Sequence, residues 1–255
     1  MSELESIIGF SITAATIALA AAIVLSMFGR RGEATLALIL FTCFSVVFFG
    51  IRAYLKEFFP FTDKVESFMT LSVLITLCGM IYRDKVSNKE FITLLLLALA
   101  AALTTFIFTD HIRYPTAYLR TIWYPMHVPF SFAAYAFWFL AGINAIFAIR
   151  GLRGSAGGMS ERPLTTQLNR NGFIFFTLAM LFGGIWGYLA WGAYFMWDPK
   201  ILWSVILWLY YGNLLHIDNL PRFRKWKIPL YIIGMILIMI TFVGTGFFTR
   251  SIHKF

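Results

Sequence analysis

The chain has 255 residues, of which 60% are hydrophobic and only 13% charged, with a formal net charge of +9 and a mean hydropathy of +0.77. Few soluble domains of this length carry so apolar a composition, which excludes a soluble globular protein and specifies a polytopic membrane protein. The positive charge falls in short blocks between apolar stretches, a pattern that suits anionic membrane lipid and gives no ground for nucleic-acid binding.

A bilayer core of ~30 Å takes about 20 apolar residues per helix, and the chain supplies eight such stretches. They are predicted near residues 5–28, 34–55, 66–82, 90–109, 128–149, 170–190, 200–217 and 228–249, giving an all-α fold of about eight transmembrane helices. Glu3 and Glu5 precede the first span, which lacks the basic flank and cleavage site of a secretory signal, so a retained helix is expected. The longest spacer, GLRGSAGGMSERPLTTQLNR, holds about 20 residues, too few for a soluble domain. Residues 1–255 are therefore expected to form a single membrane domain.

Basic residues set the orientation. With the N-terminus outside, Arg30, Arg31, Arg83, Lys85, Lys89, Arg150, Arg153, Arg162, Arg170, Arg222, Arg224, Lys225 and Lys227 share one side, thirteen against seven on the other. The richer side is cytoplasmic by the positive-inside rule, which puts both termini on the outer face. Arg52 is left inside the second span. RFRKWK reads as a juxtamembrane anchor.

That topology places His111, His127 and His253 outside. His216 lies sixteen residues beyond Lys200, roughly 24 Å along a helix at 1.5 Å per residue, where an ionisable ring needs a partner or a ligand. Cys43 and Cys78 fall within predicted spans without CxxC or CxxCH, so a covalent c-type haem, a zinc ribbon and a thioredoxin-like pair are all excluded.

The segment WGAYFMWDPKILWSVILWLYYGNLLH, Trp191 to His216, concentrates tryptophans, an aspartate and a lysine at the mouth of an apolar helix. An interfacial aromatic belt accounts for tryptophan at span ends, and Asp198-Pro199 suits a helix N-cap with proline at the first position. Neither accounts for their concentration in one loop. Flat aromatics beside a charged pair suit a large planar ligand with ionic edges, and haem is the commonest molecule of that kind.

These residues resemble the cytochrome c assembly proteins with a tryptophan-rich (WWD) outer loop, a haem-handling family with CcsA (ResC), CcmF and CcmC types. Its signature, approximately WGxYWxWDPKExWxLxxWLxYxxYLH, is matched at Trp191, Gly192, Tyr194, Trp197, Asp198, Pro199, Lys200, Trp203, Trp208, Leu209, Tyr211, Leu215 and His216. MHVPFSFAAYAFWFLAG is similar to the family's HVxxxxxxYxxF segment, ITFVGTGFFTRSIHKF to the closing segment of CcmF-type members, and FPFTDKVESF to the FPxSNLYES element of CcsA types. The eight-span count suits the CcsA type.

The resemblance implies that His127 and His253 bind non-covalent haem b axially from the outer face, while His216 binds a second haem within the membrane. Trp191, Trp197 and Trp203 would floor the porphyrin, within an outer loop at 191–200. Lys200, Arg113, Arg120 and Arg250 are the candidate propionate partners. Implied too are an inner (cytoplasmic) membrane location, presentation of haem to the CxxCH thiols of an apocytochrome c, and a haem lyase role shared with a CcsB-type partner. Three positions depart from the pattern: Phe195 replaces tryptophan, Ile201 replaces glutamate after DPK, and Phe58 stands where CcsA types often have histidine. Without a histidine at 58, a second ligand opposite His216 would come from the partner or from His111. The competing reading is a haem-b-binding electron-transfer or anchor subunit of a respiratory complex. A transporter built on inverted repeats would need matched broken helices, and no internal repeat is visible.

Overall fold

In hydrocarbon a backbone must satisfy its own hydrogen bonds, so apolar runs of this length close into helices. The computed structural model describes residues 2–108, 112, 114–152, 163–217 and 220–244, and among them there is no strand. The helices are α1 (Ser2–Met27), α2 (Arg31–Lys56), α3 (Lys64–Ile81), α4 (Asn88–Thr104), α5 (Trp123–Leu152), α6 (Pro163–Trp191), α7 (Pro199–Leu214) and α8 (Lys227–Met239). A π-helical turn, Ile240–Gly244, continues α8. Seven helical segments are long and apolar enough to cross a membrane, α8 counting with its π turn. The protein is multi-pass. The remaining helix, α7, has 16 residues.

The expected spans correspond to these helices one for one, with ends that differ by a few residues. α8 and its π turn are described to Gly244, five residues short of the predicted 249, and α6 starts seven residues before its predicted span, 163 against 170. Pro163 heads it, and proline's fixed φ suits the first helical position. The helix thereby takes in Asn169, which is buried.

The chain divides into two compact units, residues 1–120 and 121–255. In the first, α1 packs along α2 and α4, and α3 along α4. Capping boxes start two of these helices, Asp63 with Glu66 on α3 and Ser87 with Glu90 on α4. Asn88 Nδ2 donates to the Ser26 carbonyl at 2.8 Å, tying the last turn of α1 to the first of α4.

The turn from α2 to α3 is held by charge. Arg52, Lys56 and Glu66 have 0% exposure. Arg52 Nε donates to Glu66 Oε1 at 2.8 Å and Nη2 to Asp63 Oδ2 at 2.6 Å. Lys56 Nζ donates to Asp63 Oδ2 at 2.7 Å and to Thr62 Oγ1 at 2.9 Å, and pairs with Glu66 as well. Two cations face two anions, so the cluster is charge-balanced, the condition under which buried charge is tolerable.

In the second unit α5 packs along α6 and α8, and α7 against α6 and α8, closing a four-helix ring. Its core is aromatic: Trp138 stacks on Tyr211, with Tyr135 and Phe176 against the indole. Trp138 Nε1–H donates to Asn169 Oδ1 at 3.1 Å, and Asn169 Nδ2 donates to the Tyr211 carbonyl at 3.3 Å. Glycines give the rings room. A Cβ on Gly172 would lie 2.5 Å from Trp138 Nε1, and one on Gly234 would lie 2.6 Å from the Tyr211 hydroxyl.

Candidate haem site

His127 lies near the start of α5 and faces α6. Its Nδ1 is 2.7 Å from the Ala179 carbonyl oxygen. A carbonyl only accepts, so Nδ1 carries the proton and the neutral ring keeps its lone pair on Nε2. Nε2 has no hydrogen bond among the described residues. Gly183 lies against the ring, since a Cβ there would come 2.6 Å from Nδ1 and 2.8 Å from Cε1. The Ser131 hydroxyl donates to the His127 carbonyl at 3.0 Å.

The tryptophan-rich segment begins where α6 stops. Gly192 takes φ +74°, the left-handed conformation that ends helices, and its N–H donates to the Tyr188 carbonyl at 2.8 Å. The turn separates two indoles. Trp191 stays on the helix and meets Trp186 edge-on at 4.7 Å, and Trp186 in turn packs on Tyr124 at 5.1 Å. Trp197, beyond the turn, is 86% exposed. Phe195 packs on its edge at 5.4 Å, and Tyr194 stacks on Tyr188 at 4.6 Å. Tyr194, Phe195 and Trp197 thus form an open aromatic ledge.

Asp198 then starts α7. Its carboxylate is buried and accepts from the Lys200 N–H at 2.9 Å, with Pro199 opening the helix. The N-cap expected from the sequence is present, and it turns Lys200 and Trp203 onto the first turns of α7. The Trp203 carbonyl accepts from the Thr241 hydroxyl at 3.5 Å, which ties α7 to the π turn. Trp208 is fixed in the bundle, donating Nε1–H to Thr177 Oγ1 at 2.9 Å and stacking on Phe173 at 5.5 Å.

His216 follows the end of α7, in a turn where its N–H donates to the Asn213 carbonyl at 3.1 Å. Its ring is exposed. The 16 residues of α7, about 24 Å of helix, separate it from the Asp198 end. His253, Arg250, Arg113 and His111 lie outside the described residues. Arg120 belongs to the first unit, where it is exposed and donates to the Lys56 carbonyl at 3.3 Å. The described residues bring no three His, Cys, Asp or Glu side chains together for a metal.

Two features escape a reading of the sequence. The seat formed by Ala179 and Gly183 joins positions 52 apart in the chain and has no motif. The Arg52–Glu66 cluster carried one signal, an arginine inside an apolar span.

The model of the family described as "Cytochrome C assembly protein" matches residues 61–253. Similar proteins include the cytochrome c biogenesis protein CcsA of Mesostigma viride, 24% identical over 91% of this chain and 87% of its own length. CcsA of Prochlorococcus marinus (strain MIT 9515) is 23% identical over 91% of this chain and 86% of its own. Protein NrfI of Wolinella succinogenes is 25% identical over 80% of this chain but only 24% of its own length. Among solved structures, "Cytochrome c Heme Lyase CcmF" has a TM-score of 0.71 at 18% identity, covering 97% of this chain and 47% of that one. That likeness is one of fold.

Proposed function

Because the chain belongs to the family of cytochrome c assembly proteins, we propose that it binds non-covalent haem b on the outer face of the inner membrane and presents it to an apocytochrome c. The observation that carries this reading is His127, whose Nδ1–H is committed to the Ala179 carbonyl at 2.7 Å while Nε2 is left to donate its lone pair. A metal-binding histidine is ordinarily fixed through its other nitrogen in this way. The residues present fit haem: an oriented imidazole on α5, an open aromatic ledge at Tyr194, Phe195 and Trp197, and the cation of Lys200 on α7.

When bound, haem would supply the iron that imidazole ligates and the vinyl groups to which CxxCH thiols add. The chain itself binds, orients and shields. His127 and His253 would hold the iron. Trp197, Trp191 and Trp203 would present indole surface to the ring, with Trp197 86% exposed. Propionate partners would come from among Lys200, Arg250, Arg113 and Arg120. His216 would serve a second haem at the far end of α7, its other ligand coming from His111 or from a CcsB-type partner with which this chain would share haem lyase activity. The family model runs from 61 to 253 and so takes in part of the first unit and nearly all of the second.

The test is the reduced-minus-oxidised spectrum and haem content of the detergent-purified protein, beside the His127→Ala, His216→Ala and His253→Ala variants. Low-spin b-type bands that weaken in the His127 and His253 variants are expected, followed by covalent attachment to a CxxCH protein when the partner is present. Unchanged haem content in both outer variants would overturn the assignment.

A further inference from the structure

The carbonyl that receives His127 is an unusual partner, because it belongs to a helix. In α6 the Ala179 oxygen already accepts the N–H of residue 183 in the regular ladder, so a second donor must approach past the side chain of that residue. Residue 183 is glycine. A Cβ at this position would stand 2.6 Å from His127 Nδ1, 2.8 Å from Cε1 and 3.3 Å from Cγ, overlapping the ring over one whole edge. The Ser131 hydroxyl donates to the backbone carbonyl of His127 at 3.0 Å and leaves the ring's own contacts to α6. The neighbouring Gly184 does not share this role, since a Cβ there would have only the Tyr194 carbonyl within reach, at 3.8 Å.

We infer that Gly183 and the Ala179 carbonyl are positioning elements for the iron ligand: the missing side chain at 183 opens the carbonyl to Nδ1–H, and that bond fixes the tautomer and direction of His127. The inference rests on the reading of His127 as a haem ligand. Neither group touches the iron. They act through the imidazole, making Nε2 the only available donor atom and strengthening it as an electron donor, as outer-shell acceptors do for ligating histidines. A methyl group at 183 would stand 2.6 Å from Nδ1, so the ring must shift from its place on the carbonyl.

Two measurements on the full chain test this. In the first, nitrogen-15 NMR of histidine-labelled apoprotein in detergent, with His127→Gln for assignment, reads the tautomer without haem. The Nδ1–H form is expected, and the Nε2–H form overturns the inference whatever the variants do. In the second, haem is titrated into the wild type, G183A, G184A and H127A, and the midpoint potential of each loaded protein is recorded. G183A is expected to lose about tenfold to a hundredfold in haem affinity and to shift to a more positive potential, with G184A unchanged. Wild-type affinity and potential in G183A overturn the inference while leaving the ligand intact. If H127A itself keeps the wild-type spectrum and affinity, the fault lies with the ligand assignment instead. Should G183A fail to fold, the tautomer decides.

Discussion

Trp138 lies flat on Tyr211, with ring centroids 3.8 Å apart and planes within 4° of parallel. Asn169 bonds to both residues, so the stack joins α5, α6 and α7 at one point. The Tyr211 hydroxyl, however, is buried without a hydrogen-bond partner among the described residues. An unsatisfied buried hydroxyl costs about 1–3 kcal/mol, so Tyr211→Phe is expected to raise thermal stability in detergent by about 1 kcal/mol. Trp138→Ala removes the stack and is expected to cost about 3–5 kcal/mol. A phenylalanine variant that melts earlier than wild type would mean the hydroxyl has a use that the apoprotein hides.

Trp191 and Trp197 are expected to respond oppositely to truncation. Trp197 is 86% exposed, so Trp197→Ala should change stability by no more than about 0.5 kcal/mol while haem affinity falls. Trp191 packs edge-on against Trp186, and Trp191→Ala should lower stability by about 1–3 kcal/mol. Melting curves beside haem titrations separate the two, and a Trp197 variant with full affinity would remove that indole from the site.

The buried cluster of the first unit allows a charge-balance experiment. Arg52→Met leaves one surplus buried anion and Glu66→Gln one surplus cation, and each is expected to cost about 3–5 kcal/mol. The double variant retains Lys56 opposite Asp63, paired at 2.7 Å, and is expected to be more stable than either single change. Strict additivity of the two losses would show that balance is not what the cluster supplies.

Asp63 gives the same cluster an acid limit. Burial alone would raise its carboxyl, but the charges of Arg52 and Lys56, with a hydrogen bond from the Glu66 backbone, bring it below the ordinary carboxylate range. For a depressed carboxyl the stabilisation is complete above the unfolded value, about 4, and is lost as pH falls through the folded one. Stability should therefore drop steeply below about pH 4. Asp63→Asn keeps a residue able to cap α3 but should flatten that drop, as melts across the acid range would show.

What could be read in advance follows the range of the interactions. Apolar runs announce helices because the signal is local and long. Asp198 and Pro199 announce a helix start because a cap involves neighbours, here the Lys200 N–H. The letters alone do not separate Trp191 from Trp197, since Gly192 and the packing of Trp186 decide which indole is free. His216 was expected on a helix at depth, but α7 stops at Leu214 and leaves the ring exposed in the following turn. Gly183 carried no signal at all, because its role exists only once α5 and α6 are side by side.

The brevity of α7 has a consequence for the bilayer itself. Its 16 residues reach about 24 Å, some 6 Å short of a ~30 Å hydrocarbon core. An α7 that crosses the bilayer would compress the lipid beside it or draw headgroups toward its ends, at a fraction of a kcal/mol per Å of mismatch. Such a dimple would bring the aqueous boundary toward the aromatic ledge at one end of α7 and toward His216 at the other. A thicker bilayer would then work against the helix that carries the tryptophan-rich segment.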